Sequence, residues 1–288
     1  MGKGELFSLA SALAWAFGVI LYARLGKRID PLALNLRKNV VVLLMMVPLL
    51  AVRATAPALP ALDAAIAVVS GAVGIAIADT LYFRALNEIG AGRMGVIGNL
   101  FSPFVIALSY LFLGERLTSM QLAGFLLVST GVVVVQPPQA TPGTRRFGRG
   151  VAYGALAVLL MAAAIVLVKR VLERNDLFWV STLRLAGGVA TMGALVWWQR
   201  RRGGTTEAAL DRRGWLLLVA AAFVGQMLSM LLWLAGYKFT SASVAAILNE
   251  TASAFIVLLA WLLLREPLTR RRIVGVTLTL GGVVLMLQ

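Results

Sequence analysis

Neither cysteine nor histidine occurs in this chain. Their absence removes thiol redox chemistry, structural disulfides, haem ligation through imidazole and the usual zinc sites. Without histidine there is no H-E-x-x-H helix, and no G-x-S-x-G elbow occurs either. Charge is scarce too, at 14% of residues, against roughly a quarter in an ordinary soluble domain. What is abundant is apolar: 60% of the 288 residues are hydrophobic, and the mean hydropathy is +0.89. A water-soluble core cannot hide that much apolar surface in a chain of this length. A bilayer can, and at roughly 20 residues per span the chain has room for about ten helices with short loops. The net charge of +15 does not point to nucleic acid, because Lys and Arg gather in the cytoplasmic loops of membrane proteins.

One stretch occurs twice. SPFVIALSYLFLGERLTSMQLAGFLLVSTGVV (Ser102–Val133) returns 151 residues later as SAFIVLLAWLLLREPLTRRRIVGVTLTLGGVV (Ser253–Val284), with 13 of 32 positions identical. Glu115, Thr118, Gly124 and Gly131 match Glu266, Thr269, Gly275 and Gly282. Repetition at half-length marks a duplicated architecture. The apolar runs place spans near 5–24, 32–52, 63–86, 94–113 and 119–136, then 150–169, 178–199, 215–237, 243–264 and 272–287. The N-terminal run Leu6–Ala23 reads as the first span rather than a signal peptide, for no convincing cleavage site follows it. The Pro-, Gly- and Arg-rich segment Gln136–Gly150 divides residues 1–136 from 150–288, with 137–149 as linker. Farther back, Arg37 pairs with Arg184 at a spacing of 147.

An odd number of spans per half makes the second half enter the membrane in the opposite sense. The expected fold is an all-α polytopic membrane protein, ten transmembrane helices as two inverted five-helix repeats. Such repeats suit transporters with a site near the midplane. Nineteen Lys and Arg flank the loops after odd spans and eight lie on the other side, which puts both termini outside the cytoplasm.

Ionisable groups inside spans are costly and therefore candidates for function. Asp79 lies in span 3, on a face with Ile75, Tyr82 and Leu86, and Arg84 or Arg37 would suit it as ion-pair partners. Glu250 lies in span 9 beside Asn249, and its repeat partner is Asn99. An asymmetric solute bound on a pseudo-two-fold axis needs such a mismatch. Arg37 and Arg184 fall nearer span ends, where long side chains snorkel. Span 1 carries Ser8, Ser11, Trp15, Gly18 and Tyr22 on one stripe, and span 8 carries Gln226, Ser229, Trp233 and Tyr237. Trp15, Gln226 and Trp233 are deep enough to line a pocket. Tyr22 and Tyr237 fit an interfacial aromatic belt better. Pro103 can kink span 4 and open room beside Asn99 and Ser102. Glu115 and Glu266 end spans 4 and 9, where charge reaches water, and Thr118 and Thr269 stand at helix N-cap positions. Gly92, Gly95 and Gly98 lack the strand and the Lys-Ser/Thr of a phosphate loop.

The motifs LGERLT (Leu113–Thr118) with Gly124 and Gly131, REPLT (Arg265–Thr269) with Gly275 and Gly282, and ADTLYFRALNEIGAGR (Ala78–Arg93) give the whole chain a family likeness. It resembles the drug/metabolite transporter superfamily, specifically the bacterial type with two EamA domains. The resemblance implies ten helices, with spans 1–4 and 6–9 around a central cavity and spans 5 and 10 outside it. It implies export of amino acids, metabolites or drugs; relatives move nucleotide-sugars, sugar phosphates or lipid-linked sugars. The membrane-embedded Glu of small multidrug-resistance relatives has no counterpart, as Glu5 lies at the very start of span 1. Ala254 stands in span 9 where span 4 has Pro103.

The combined expectation is a secondary active exporter of the inner membrane, working by alternating access on an amino acid or amine-like solute. Solute-binding residues would be Trp15, Tyr82, Asn99, Ser102, Gln226, Trp233 and Glu250. Asp79 and Glu250 are the candidates for proton coupling. No cofactor, metal or nucleic acid is expected; the partners are the solute, the lipid bilayer and protons, in a monomer or weak homodimer. Sugar phosphates suit the sequence less, because no cluster of deep Lys or Arg is visible. The alternatives are a lipid-linked-sugar flippase and a membrane enzyme or receptor.

Overall fold

Local chemistry marks where the helices begin and end. Asp211, Ser241 and Thr269 each turn a side-chain oxygen to a backbone N–H of the first helical turn, at Gly214, Val244 and Arg272. Thr118 and Gln121 form a capping box: the Thr118 hydroxyl accepts from the Gln121 N–H, and the Gln121 amide oxygen accepts from the Thr118 N–H. Gly114 and Arg265 close their helices in the left-handed region, at φ 75° and 55°.

The structure is a computed structural model that describes residues 2–25, 31–52, 59–89, 91–135, 147–201, 211–265 and 268–288. The expected linker core 137–146 and Glu266 lie outside the described residues, as do the side chains of Tyr22 and Leu86. Among the described residues every regular element is helical. The first half holds α1 (Lys3–Leu25), α2 (Pro31–Val52), α3 (Ala61–Gly71), a wide π-helical turn (Ala72–Ile77), α4 (Ala78–Ile89), α5 (Ala91–Gly98), α6 (Phe101–Leu113) and α7 (Ser119–Val135). The second holds α8 (Phe147–Arg174), α9 (Leu177–Arg201), α10 (Arg212–Ala222), a second wide turn (Phe223–Leu228), α11 (Ser229–Phe239), α12 (Ala242–Asn249), α13 (Ala252–Leu264) and α14 (Arg270–Met286). Six helical stretches are long and apolar enough to cross a membrane: 61–82, 96–113, 148–174, 177–198, 212–239 and 242–263. A shorter apolar helix spans Ser119–Val135. Their outer faces carry exposed Leu, Val, Phe and Trp, a surface suited to lipid and not to water. This is a multi-pass membrane protein.

The two halves repeat element by element. Ala61 and Arg212, Ala72 and Phe223, Ala78 and Ser229, Ala91 and Ala242, Phe101 and Ala252, and Ser119 and Arg270 all begin matching elements, each pair 151 residues apart. The contacts between halves are reciprocal. Helix α1 packs on α11 and α13, and its counterpart α8 packs on α4 and α6. Helices α7 and α14 pack on each other, backbone to backbone: a Cβ on Gly131 would strike Thr279, and one on Gly282 would lie 2.7 Å from the Gly124 carbonyl oxygen.

Two departures from straight helix shape the interior. The wide turns fall at the same place in each repeat, in the middle of spans 3 and 8, and each widening shifts the phase of side chains beyond it. Spans 4 and 9 are both broken, at Asn99–Leu100 and at Glu250–Thr251. There the backbone tightens to bonds three residues back, Asn99 N–H to Val96 at 3.2 Å and Glu250 N–H to Ile247 at 3.1 Å. In span 4 the cause is Pro103, which cannot donate to the Asn99 carbonyl four residues earlier. Span 9 has no proline there, yet it breaks at the matching point. Its Asn249 amide donates to the Ala245 carbonyl (2.7 Å) and its Thr251 hydroxyl to the Leu248 carbonyl (2.6 Å), local bonds that compete with the helix ladder.

Candidate functional site

Asp79 opens α4, immediately after the first wide turn. The Asn35 amide nitrogen donates to its carboxylate at 2.7 Å, and Asn39 donates to Asn35 at 3.1 Å. Both asparagines are buried on α2, one turn apart, so they form a single file leading to Asp79. Lys38 on the same helix and Arg184 on α9 both act electrostatically on Asp79. Arg184 is only 4% exposed. Its guanidinium donates to the Ser70 hydroxyl at 2.9 Å, and the Ser70 hydroxyl donates in turn to the Ala164 carbonyl at 2.6 Å. Gly74, in the wide turn, leaves room for it: a Cβ there would sit 3.1 Å from a guanidinium nitrogen. The Trp233 ring lies 5.4 Å from the guanidinium carbon and meets Tyr237 edge-on at 5.0 Å. Lys38 Nζ stands 5.8 Å from the Trp15 ring centre. Tyr82 packs on the small core of Ala85, Met94 and Val158 and feels the charge of Asp79.

The result is a set of two cations and one carboxylate, with Arg184 buried and Lys38 and Asp79 half-buried, flanked by tryptophans. An ionised solute carrying both signs could satisfy it: a carboxylate between Lys38 and Arg184, an ammonium at Asp79, and an apolar body against Trp15 or Trp233.

A second polar group lies at the helix break of span 9. Both carboxylate oxygens of Glu250 are shut off from solvent and have no hydrogen-bond partner among the described residues. Ser102 of α6 and Ser129 of α7 face them. Asn99 takes the matching position in span 4, half-buried at the first break. Gln226 stands half-buried within the second wide turn. Of the expected residues, then, the structure groups Asp79, Tyr82, Trp15 and Trp233 around one centre. It places Glu250 and Ser102 in another, with Tyr237 interacting electrostatically with both Arg184 and Glu250.

Several expectations need correcting. Arg184 does not snorkel; it is buried about 10 Å into α9, at 1.5 Å per residue from Leu177. With buried Arg184 and half-buried Lys38 both acting on Asp79, the interior does hold basic groups. Arg84 is exposed and is not the partner of Asp79. Tyr237 is fully buried, not an interfacial belt residue. Most of the polar stripe of span 1 is a seam. The Ser11 hydroxyl donates to the Ser229 carbonyl at 2.9 Å, Ser8 sits against Gly236, and Gly18 lies against the Gly225 backbone. Trp15 is off that seam, at 38% exposure. Glu115 does not end in water. Its carboxylate accepts from the Ala242 N–H (2.8 Å) and from the Ser243 N–H and hydroxyl (3.0 Å each), holding the N-terminus of α12. Gly92, Gly95 and Gly98 lie on helix α5 rather than in a loop.

Asn35, Lys38, Asn39, Ser70 and Ser129 were not foreseen. The one available signal was two amides and a lysine at positions 35, 38 and 39 of an otherwise apolar span. A cavity of about 370 Å³ lies elsewhere, at the turn between α6 and α7, lined by Tyr110, Glu115, Arg116 and Ser243. Its lining shares no residue with either polar centre.

A family model described as the EamA-like transporter family matches residues 2–136 and again 148–288. Protein PecM of Dickeya dadantii (strain 3937) is 26% identical over 223 residues, which are 76% of this chain and 72% of PecM. A protein of known crystal structure matches 98% of this chain and 95% of its own, with a TM-score of 0.81 at 17% identity, a likeness of fold alone.

Proposed function

The chain belongs to the EamA-like transporter family, and from that premise we propose that it is a secondary active exporter of an amino acid or amine-like metabolite. Its family are transporters of small solutes rather than enzymes. The observation that carries the narrower reading is the charge set at the centre, with Asp79 held by Asn35 and acted on by Lys38 and Arg184 beside Trp233. A purely cationic amine would meet two basic groups, and a purely anionic sugar phosphate would meet Asp79. An α-amino acid presents both signs at the spacing of one carbon, so the amino acid is favoured over the simple amine.

In this reading residues 1–136 and 150–288 are two five-span repeats joined by a linker at 137–149. They cross the inner membrane in opposite senses, ten spans in all, with both termini outside the cytoplasm. The reciprocal packing of α1 on α11 and α8 on α4 supports a two-fold relation between them. The halves rock about the centre in alternating access. Asp79, Trp15, Tyr82, Gln226 and Trp233 surround the solute; Asn99, Ser102 and Glu250 occupy the broken helices, where Glu250 or Asp79 carries a coupling proton. Lys38 and Arg184 drop out of the topology count, one from each side, and leave its bias unchanged. A lipid-linked-sugar flippase would need an opening from the centre to lipid.

The test is counterflow in proteoliposomes against amino acids, polyamines, sugars and nucleosides. Exchange of an amino acid that is lost in Asp79→Asn is the expected result. Exchange confined to sugars or nucleosides, or full activity in Asp79→Asn, would refute it.

A further inference from the structure

Glu250 presents a problem that the solute site does not solve. Its carboxylate lies inside the protein, yet no Lys or Arg among the described residues acts on it. An ionised carboxylate shut away from water and unpaired is too costly to persist. The same spot holds two further orphans. Ser102 Oγ and Ser129 Oγ are buried and also without hydrogen-bond partners among the described residues. The Ser102 hydroxyl and N–H and the Ser129 hydroxyl face the Glu250 carboxylate, without closing to a normal hydrogen bond. Two carboxylate oxygens and two hydroxyls, from the break of span 9, α6 and α7, thus converge without an ordinary hydrogen bond among the described residues.

Their chemistry defines what this place can bind. One carboxylate supplies a single negative charge, and no group of three acidic, His or Cys side chains occurs among the described residues. A divalent ion normally draws on more carboxylate than that. Hydroxyl oxygens accept as readily as they donate, so they can receive a proton from a neutral carboxyl or coordinate a hard cation. Of the surrounding elements, α1, α6, α7 and α14 present no charged group that acts on Glu250. Helix α11 presents Tyr237, which is buried and whose hydroxyl has no hydrogen-bond partner among the described residues. The amide of Asn249 is spent on Ala245.

We infer that Glu250, Ser102 and Ser129 form a site for one monovalent cation, a proton or Na+, distinct from the solute centre. The occupant neutralises Glu250 and ties the broken helix of span 9 to spans 4 and 5. The solute centre rests on the transport reading above; cation binding itself does not.

The experiment measures binding without transport. Thermal unfolding of the purified full-length protein is followed in NaCl and in choline chloride, at acidic and at alkaline pH. The variants are Glu250→Gln, the pair Ser102→Ala with Ser129→Ala, and Asp79→Asn. If Na+ is the occupant, NaCl raises the unfolding midpoint over choline chloride at alkaline pH. Glu250→Gln abolishes that rise, and the serine pair weakens the apparent Na+ affinity about 10-fold or more. If the occupant is a proton, Na+ has no effect, acidification raises the midpoint, and Glu250→Gln is insensitive over the same range. In both cases Asp79→Asn keeps the response. The inference fails if Glu250→Gln answers Na+ and pH as the wild type does, or if the response follows Asp79 instead. Should Glu250→Gln not fold, an unchanged response in the serine pair overturns it alone. Absence of amino-acid counterflow would sink the transport reading and leave this result standing.

Discussion

The breaks in spans 4 and 9 occupy the same position in their repeats and come about differently. In the first, a missing N–H at Pro103 frees the Asn99 carbonyl. In the second, Asn249 and Thr251 take up backbone carbonyls with their side chains. The backbone outcome is shared and the local chemistry is not. Position in the fold therefore dictates that a half-helix ends here, while each sequence finds its own means. What each break presents to the interior is a neutral amide at Asn99 and an acid at Glu250. The wide turns follow the same rule. Both repeats have one, but only the first is followed by a carboxylate; the position matching Asp79 is Met230. Scaffold is symmetric and function is not.

That contrast makes matched pairs of substitutions informative. The largest effect is expected at the mismatched positions: Asp79→Asn should lower counterflow at least ~100-fold, about 2.7 kcal/mol, while Met230→Leu stays within ~2-fold of wild type. Comparable losses at both positions would mean that the centre is symmetric after all. The glycine seam should behave in the opposite way. Gly131→Val and Gly282→Val both force α7 and α14 apart, and each should cost about 3 kcal/mol by thermal unfolding. A large difference between them would show that only one side of the seam is close-packed. Next come the paired aromatics Tyr82 and Trp233. Trp233→Ala should weaken apparent solute affinity ~10-fold, about 1.4 kcal/mol, with Tyr82→Ala nearer neutral because its ring packs on core. An unchanged affinity in Trp233→Ala would move the pocket. The smallest effects lie at the helix ends. Arg265 holds a left-handed conformation that Gly114 occupies in the other repeat, so Arg265→Gly should add about 1 kcal/mol of stability and Gly114→Ala remove about as much.

Helices were legible where the apolar run is long, and some boundaries carry their own signal, as with Thr118 and Thr269. The duplication was legible because the α6–α7 and α13–α14 sequences still match. The wide turns were not, since six residues of Ala, Val, Gly and Ile in span 3 read like any apolar helix. Nor was the break in span 9, where no proline announces it. Around the centre, Asp79 and Trp233 stood out by type. Arg184 and Lys38 did not, because hydropathy places a basic group near a span end in the interface, and only packing reveals that Gly74 and Ser70 receive the guanidinium. Ser8 and Ser11 misled for the converse reason: a polar stripe on one helix looks the same facing a cavity as facing another helix.

Glu115 has a consequence for how the chain is assembled. It stands at the end of a first-half helix, and its carboxylate completes the opening turn of α12 in the second half. Helix α12 has eight residues and stops at the break that holds Glu250. Ser241 caps that helix from within its own half, but the Ala242 and Ser243 N–H groups find their acceptor only once the first half is in place. The two repeats are thus not modules that mature separately. The order of synthesis suits this, because the half that supplies the clamp leaves the ribosome first.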